Sequence, residues 1–175
     1  MKTLNKLVQQ TYEKNCLPIN FDLDTEYLYE ESQRRPRKKF YYPKLGQVKN
    51  YYYAPYEPDW LKDYIKRNFG IKGRFNMKFV YLIPGYQTLN WHTDKGTKCA
   101  INWVVNKPLN DAVLEYRDSK HIYSAAIINT EKEHRVTNLE FERILFKVSC
   151  FDMTYEELCT KFITRFMLSV KSPKK

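Results

Sequence analysis

Residues 79–94 read Phe79-Val-Tyr-Leu-Ile-Pro-Gly-Tyr-Gln-Thr-Leu-Asn-Trp-His92-Thr93-Asp94. An apolar run of strand type stops at Pro84-Gly85, a turn signal, and a second approach ends in His-x-Asp. If residues 91–94 are extended, the two-residue period of a strand puts the His92 and Asp94 side chains on one face, where an imidazole and a carboxylate can converge on a metal ion. A third ligand then has to come from a distant strand. The chain has three histidines, and His134, in Glu133-His134-Arg135-Val136, is the natural candidate. Two His and one carboxylate leave three positions of an octahedron open, the arrangement used by non-haem Fe(II) oxygenases; ligand types alone do not separate iron from zinc.

What surrounds this stretch is a series of short β-type runs: Lys78–Ile83, Cys99–Val105, Ala112–Tyr116, Ile122–Ile128 and Glu142–Phe151. Turn residues part them at Lys95-Gly96, Asn106-Lys107-Pro108 and Asp118-Ser119. Such a succession predicts a mainly β fold, a jelly roll (double-stranded β-helix) with flanking helices, rather than a parallel α/β sheet. A jelly roll also brings non-sequential strands together, which the third ligand requires. One amphipathic helix is predicted from Pro58 to Phe69, where Trp60, Leu61, Tyr64, Ile65 and Phe69 fall at helical spacing and Gly70 follows. Another begins near Thr154, whose spacing to Glu157 is that of a capping box.

At 175 residues, 43% of them hydrophobic, the chain is expected to form a single domain, 1–175. Residues 1–73 are read as an N-terminal helical and loop elaboration, 74–152 as the jelly-roll core and 153–170 as a C-terminal helix. Five Gly beside fifteen Tyr and ten Phe exclude a collagen-like or low-complexity chain. Cys16, Cys99, Cys150 and Cys159 form no C-x-x-C pair, so a disulfide framework or zinc knuckle lacks support. With no apolar leader segment and no long apolar run, the expected location is a reducing cytoplasm, and no membrane partner is expected. The net charge of +10 favours anionic partners, and the basic run Arg34–Lys39, read as a loop, keeps nucleic acid among them, although Lys-rich faces are commonly just solvated.

Arg143 lies nine residues after His134, in Phe141-Glu-Arg143-Ile-Leu-Phe-Lys-Val-Ser, sharing a face with Phe141 and Leu145. Arginine grips a carboxylate bidentately, and one pointing into a barrel needs an anion there. The other face is the more continuously apolar, however, so an outward arginine paired with Glu140 satisfies the same pattern. Parity leaves both readings open.

Taken together, Trp91-His92-Thr93-Asp94, Ala100-Ile-Asn102-Trp, His134-Arg-Val-Thr-Asn138 and Arg143-Ile-Leu resemble the Fe(II)/2-oxoglutarate-dependent dioxygenase superfamily over about residues 75–150. The likeness is greatest to small oxygenases of phages and bacteria, and looser to the prolyl- and aspartyl/asparaginyl-hydroxylase branches. The resemblance implies Fe(II) on His92, Asp94 and His134, with 2-oxoglutarate and O2 as co-substrates and Arg143 on the distal carboxylate. It further implies hydroxylation of a protein or peptide residue or a small molecule, with release of succinate and CO2. Many relatives carry Ser or Thr two residues after the arginine. Here that residue is Leu145, so Tyr81 is the substitute hydroxyl donor. Asn102 would bind the co-substrate's other carboxylate or else be a satisfied core amide. Tyr86 and Trp91 are candidates for the substrate site; Trp103 is read as core and His121 as a surface residue. The competing readings are a nucleic-acid-directed oxygenase, a jelly-roll enzyme with no need for 2-oxoglutarate, and a non-catalytic or virion-associated binding protein.

Overall fold

Strand Arg143–Cys150 is buried along its whole length, and it can be so only because both of its faces are covered. Ile144, Phe146, Val148 and Cys150 point one way, into a core shared with helices. Leu145 points the other way, into a second core between two sheets, and Arg143, Lys147 and Ser149 share its side by strand alternation. Around this strand the computed structural model describes residues 15–21, 23–42, 46–84, 91–106 and 112–170.

In chain order the elements are β1 (Cys16–Pro18), α1 (Thr25–Gln33), β2 (Lys38–Tyr42), β3 (Gly46–Pro55), α2 (Asp59–Phe69), β4 (Phe75–Leu82), β5 (Cys99–Val104), β6 (Val113–Tyr116), β7 (Lys120–His121), β8 (Ala125–Asn129), β9 (His134–Thr137), β10 (Arg143–Cys150) and α3 (Tyr155–Val170). Seven strands form the large sheet, β1-β8-β5-β10-β4-β3-β2, and three the small one, β7-β6-β9. Every pairing is antiparallel, and five of the eight join strands that are not consecutive in sequence, as a jelly roll requires.

Two helices form where the spacing predicts. Helix α2 buries Leu61, Ile65 and Phe69, one face at four-residue intervals, and ends on Gly70 in the left-handed region at φ 63°. Trp60 and Tyr64, which share the apolar spacing, are exposed at 58% and 39%. Ahead of α3, Thr154 and Glu157 exchange the two bonds of a capping box, at 2.9 and 3.2 Å.

The N-terminal region departs from its reading as helix and loop. It contributes β1 to one edge of the large sheet and β2 and β3 to the other. The basic run is no free loop either. It leaves α1 and enters β2, and its arginines are engaged: Arg34 and Arg35 pair with Glu31, while Arg37 pairs with Glu142 and lies 4.1 Å from the Tyr81 ring centroid. These guanidinium groups answer local carboxylates and rings, and the nucleic-acid reading gains no support from them. All four cysteines are buried, and none is in a disulfide. Among the described residues no helix is long and apolar enough to cross a membrane.

The helix-side core is aromatic: Phe146, fully buried, contacts the rings of Tyr56, Phe79 and Trp103. Phe146→Ala should cost about 3–5 kcal/mol, the range for emptying a packed aromatic site. The midpoint of urea unfolding reads this directly, and a shift worth under about 1 kcal/mol would show that the core can collapse onto the vacancy.

Candidate metal centre

The His-x-Asp segment is fastened to β9 through its backbone. His92 N–H donates to the His134 carbonyl at 3.1 Å and His134 N–H to the His92 carbonyl at 2.9 Å, an antiparallel pair isolated from the named strands. Two residues on, Asp94 N–H donates to the Thr130 carbonyl at 3.0 Å. These bonds, made far apart in sequence, bring the two imidazoles to a ring-centroid separation of 4.5 Å, with the Asp94 carboxylate beside both. His92 Nε2 lies 3.7 Å and His134 Nε2 4.0 Å from the same oxygen, Asp94 Oδ1. One ligand atom from each residue falls within 4.8 Å of the others.

The tautomer of His134 follows from its other nitrogen. Nδ1 lies 2.8 Å from the Lys132 carbonyl, which only accepts, so Nδ1 carries the hydrogen and the Nε2 lone pair of the neutral ring faces Asp94. Burial pushes His134 down from 6.5 to about 4, outweighing the attraction of Asp94. The ring is therefore neutral, as a ligand must be, throughout the physiological range.

The second oxygen of Asp94 is spoken for as well: Lys147 Nζ donates to Oδ2 at 2.5 Å. Burial alone would raise Asp94, but the charge of Lys147 and the bond it donates hold the carboxylate far below its usual range. Burial also acts against the Lys147 charge, and the carboxylate overcomes it, so both partners stay ionised. Oδ1 is thus turned to the histidines and Oδ2 to the lysine, which makes Lys147 a positioning residue for the carboxylate.

Lys147 is the main site residue that the sequence reading missed, and its signal was available: it is a lysine in the middle of the apolar run Ile-Leu-Phe-Lys147-Val, on the strand face of Arg143. Tyr51 was missed too, being read as part of the N-terminal elaboration. It lies within electrostatic reach of Lys147 and Asp94, and burial raises its hydroxyl to about 12.

The remaining candidates divide. Arg143 is 1% exposed, so the outward arginine paired with Glu140 is excluded. It donates from one terminal nitrogen to the Ala112 carbonyl at 2.9 Å and from the other to the Tyr123 carbonyl at 3.4 Å, while its buried Nε finds no partner among the described residues. Asn102 donates to the Tyr123 hydroxyl at 3.0 Å, and its buried Oδ1 has no partner among the described residues. Tyr81 must be corrected. It belongs to the helix-side core and donates its hydroxyl to the Ser32 carbonyl at 2.7 Å, on the opposite face of the sheet from Lys147 and Arg143. Strand parity decides this, because Tyr81 pairs with Ile144 and not with Arg143. Trp91 is half-buried between Arg117 and Arg135, at 4.0 and 4.7 Å from their guanidinium carbons. Those arginines pair in turn with Glu133 and Glu115. Trp103 is core at 1% exposure, His121 lies in β7 outside the cluster, and Tyr86 lies outside the described residues.

His134 also sets an acid limit on stability. Its pKa in the folded chain lies below that of the free imidazole, so the unfolded chain binds the extra proton first. The contribution is fully present above 6.5 and is lost as pH falls towards 4. For chelator-treated protein we expect unfolding free energy to drop by about 2–3 kcal/mol between pH 7 and pH 4.5, with the drop flattened in His134→Gln. Urea titrations at the two pH values measure it, and an equal drop in the variant would assign the acid sensitivity elsewhere.

No protein-family model and no curated protein matches this sequence. Solved structures do match its fold. A prolyl-4-hydroxylase of Pseudomonas putida superposes with a TM-score of 0.56 at 13% identity, over 85% of this chain and 99% of that one. A prolyl hydroxylase of Trichoplax adhaerens, solved with a hypoxia inducible factor oxygen degradation domain peptide fragment, superposes with a TM-score of 0.62 at 10% identity, over 98% and 94% of the two chains. At such identities the likeness is one of architecture. The chain is therefore a jelly roll of the prolyl-hydroxylase shape, carrying a His-Asp-His cluster that could hold a metal ion.

Proposed function

We propose that this protein is an Fe(II)- and 2-oxoglutarate-dependent oxygenase, hydroxylating its substrate with release of succinate and CO2. The observation that carries the reading is the convergence of one ligand atom each from His92, His134 and Asp94 within 4.8 Å of one another, on a fold shared with prolyl hydroxylases. Two neutral imidazoles and one carboxylate are the donor set that suits Fe(II) while leaving positions for co-substrate and O2. When bound, the iron and its co-substrate supply the oxidising power for an unactivated C–H bond.

The protein's own residues would hold and orient. The Lys132 carbonyl keeps the His134 ring in its ligating tautomer, and Lys147 keeps Oδ1 of Asp94 turned to the histidines. Arg143 is assigned to the distal carboxylate of 2-oxoglutarate: it is a buried cation whose partners among the described residues are two backbone carbonyls and the Tyr123 ring, with Nε unpaired and no described carboxylate answering it. Asn102, whose buried Oδ1 has no partner among the described residues, is assigned to the same co-substrate on the same face of the large sheet. Tyr81 has no part, and the hydroxyl beside Asn102 is that of Tyr123.

The test is an anaerobic titration of Fe(II)-loaded protein with 2-oxoglutarate, watching for the weak visible charge-transfer band of a chelated 2-oxo acid. A saturable band is expected. No band, with no thermal stabilisation by either ligand, would sink the oxygenase reading and favour a binding protein that kept the fold.

A further inference from the structure

The pairing of β10 with its two neighbours sets Lys78, Lys147 and Asn102 in one row across the large sheet, Lys78 opposite Lys147 and Lys147 opposite Asn102. Lys78 and Lys147 are in step with Val80 and Leu145 of the core between the sheets, so the row lies on the metal-centre side. Two like charges directly opposite on adjacent strands repel, and burial strengthens the repulsion. Among the described residues one carboxylate answers them, that of Asp94, and Lys147 takes it at 2.5 Å. No described carboxylate comes within ion-pairing distance of Lys78, whose ammonium lies 6.0 Å from the Tyr53 ring centroid. Burial, and then the charge of Lys147, lower Lys78 to about 8, so it still carries most of its charge at neutral pH.

The surplus of positive charge persists when the proposed cofactors are in place. Among the described residues, the two charges of iron, with Arg143, Lys147 and Lys78, would face one carboxylate, that of Asp94, and the two of 2-oxoglutarate. A site lined for a neutral substrate would have no use for a second, half-buried ammonium on the strand beside the first. We propose that the group hydroxylated here belongs to an acid: the prime substrate presents a carboxylate that docks on the Lys78–Lys147 pair beside the metal centre. This rests on the oxygenase reading and narrows its substrate to carboxylate-bearing molecules, either a free amino or hydroxy acid or an acidic side chain of a peptide.

The experiment uses the full chain saturated with Mn(II), in place of the oxidisable iron, and with 2-oxoglutarate. Calorimetric titrations then follow L-aspartate, the blocked peptide acetyl-Gly-Asp-Gly-amide, and their neutral counterparts L-asparagine and acetyl-Gly-Pro-Gly-amide. At least one acidic probe is expected to bind about tenfold or more tightly than its neutral partner, and which one it is separates free acid from peptide. Lys78→Met should remove about tenfold of that preference and leave 2-oxoglutarate affinity within about twofold, and Lys78→Arg should restore the preference. Melting curves identify a variant that has failed to fold, in which case Lys78→Arg and Lys78→Gln carry the comparison. Equal binding of acidic and neutral probes, no binding of any acidic probe, or a Lys78→Met defect confined to 2-oxoglutarate would each overturn the proposal. The acidic probes are also titrated into metal-free protein without 2-oxoglutarate. If wild type fails to bind Mn(II) or 2-oxoglutarate, the oxygenase reading fails, and this arm still decides whether the lysine pair takes a carboxylate.

Discussion

His134→Ala is expected to lower divalent-metal affinity by at least about 100-fold and to abolish the 2-oxoglutarate-dependent visible band. Loss of a mere partner of a metal ligand already costs 10–100-fold, roughly, and here one of three ligands disappears. The remaining pair is ill placed to compensate, because Lys147 holds the second oxygen of Asp94 and opposes any shift to a two-oxygen grip. Stability should change little by comparison. The variant loses the buried bond to the Lys132 carbonyl, worth about 1 kcal/mol, but also the cost of keeping that ring unprotonated in mild acid. Competition against a chromogenic chelator measures the affinity. Metal bound by the variant as tightly as by wild type would remove His134 from the ligand set and leave the cluster without a function. His121→Ala, a change on β7, serves as the matched histidine control.

Arg143→Met carries the second large effect. The substitution keeps most of the length and apolar stem and removes the charge. If Arg143 receives the distal carboxylate, 2-oxoglutarate affinity should fall by about 2–5 kcal/mol, at least thirtyfold, the range for truncating one side of a buried charge pair. Metal affinity should hold within about threefold, since Arg143 touches none of the three ligands and a change so small is under 1 kcal/mol. The fold also loses donors to the Ala112 and Tyr123 carbonyls, about 1–3 kcal/mol for each acceptor left unmet, partly offset because a guanidinium no longer has to be desolvated. The two roles therefore separate by measurement: calorimetric titration with 2-oxoglutarate reads the first and urea unfolding the second. A destabilised variant that binds 2-oxoglutarate like wild type would make Arg143 a structural brace.

These expectations rest on features of unequal visibility. The strands after Gly73, the helix closed by Gly70 and the capping box at Thr154 were legible because each depends on a local rule: strand alternation, helical spacing or a turn residue. The pairing of His92 with Asp94 was legible for the same reason, two residues on one extended segment. Tyr81 was misread because its nearness to the ligands in sequence said nothing of its side of the sheet. That side is set by register against β10, and it sends the hydroxyl to the Ser32 carbonyl. Parity left both sides open to Arg143, because β10 is buried on both faces, and only the helices packed on one and the small sheet on the other distinguish them.

By itself the sequence determined the class of elements, the His-x-Asp pair and the residue types a metal would need, all of which follow from chemistry within a few bonds of one another. Tertiary structure alone decided that His134 bridges the backbone of His92, that Arg143 turns inward and that Lys147 meets Asp94 with Lys78 beside it. Each of those meetings joins strands distant in sequence, and the register that brings them together comes from burying both faces of the large sheet at once, a condition that no short stretch of the chain can express.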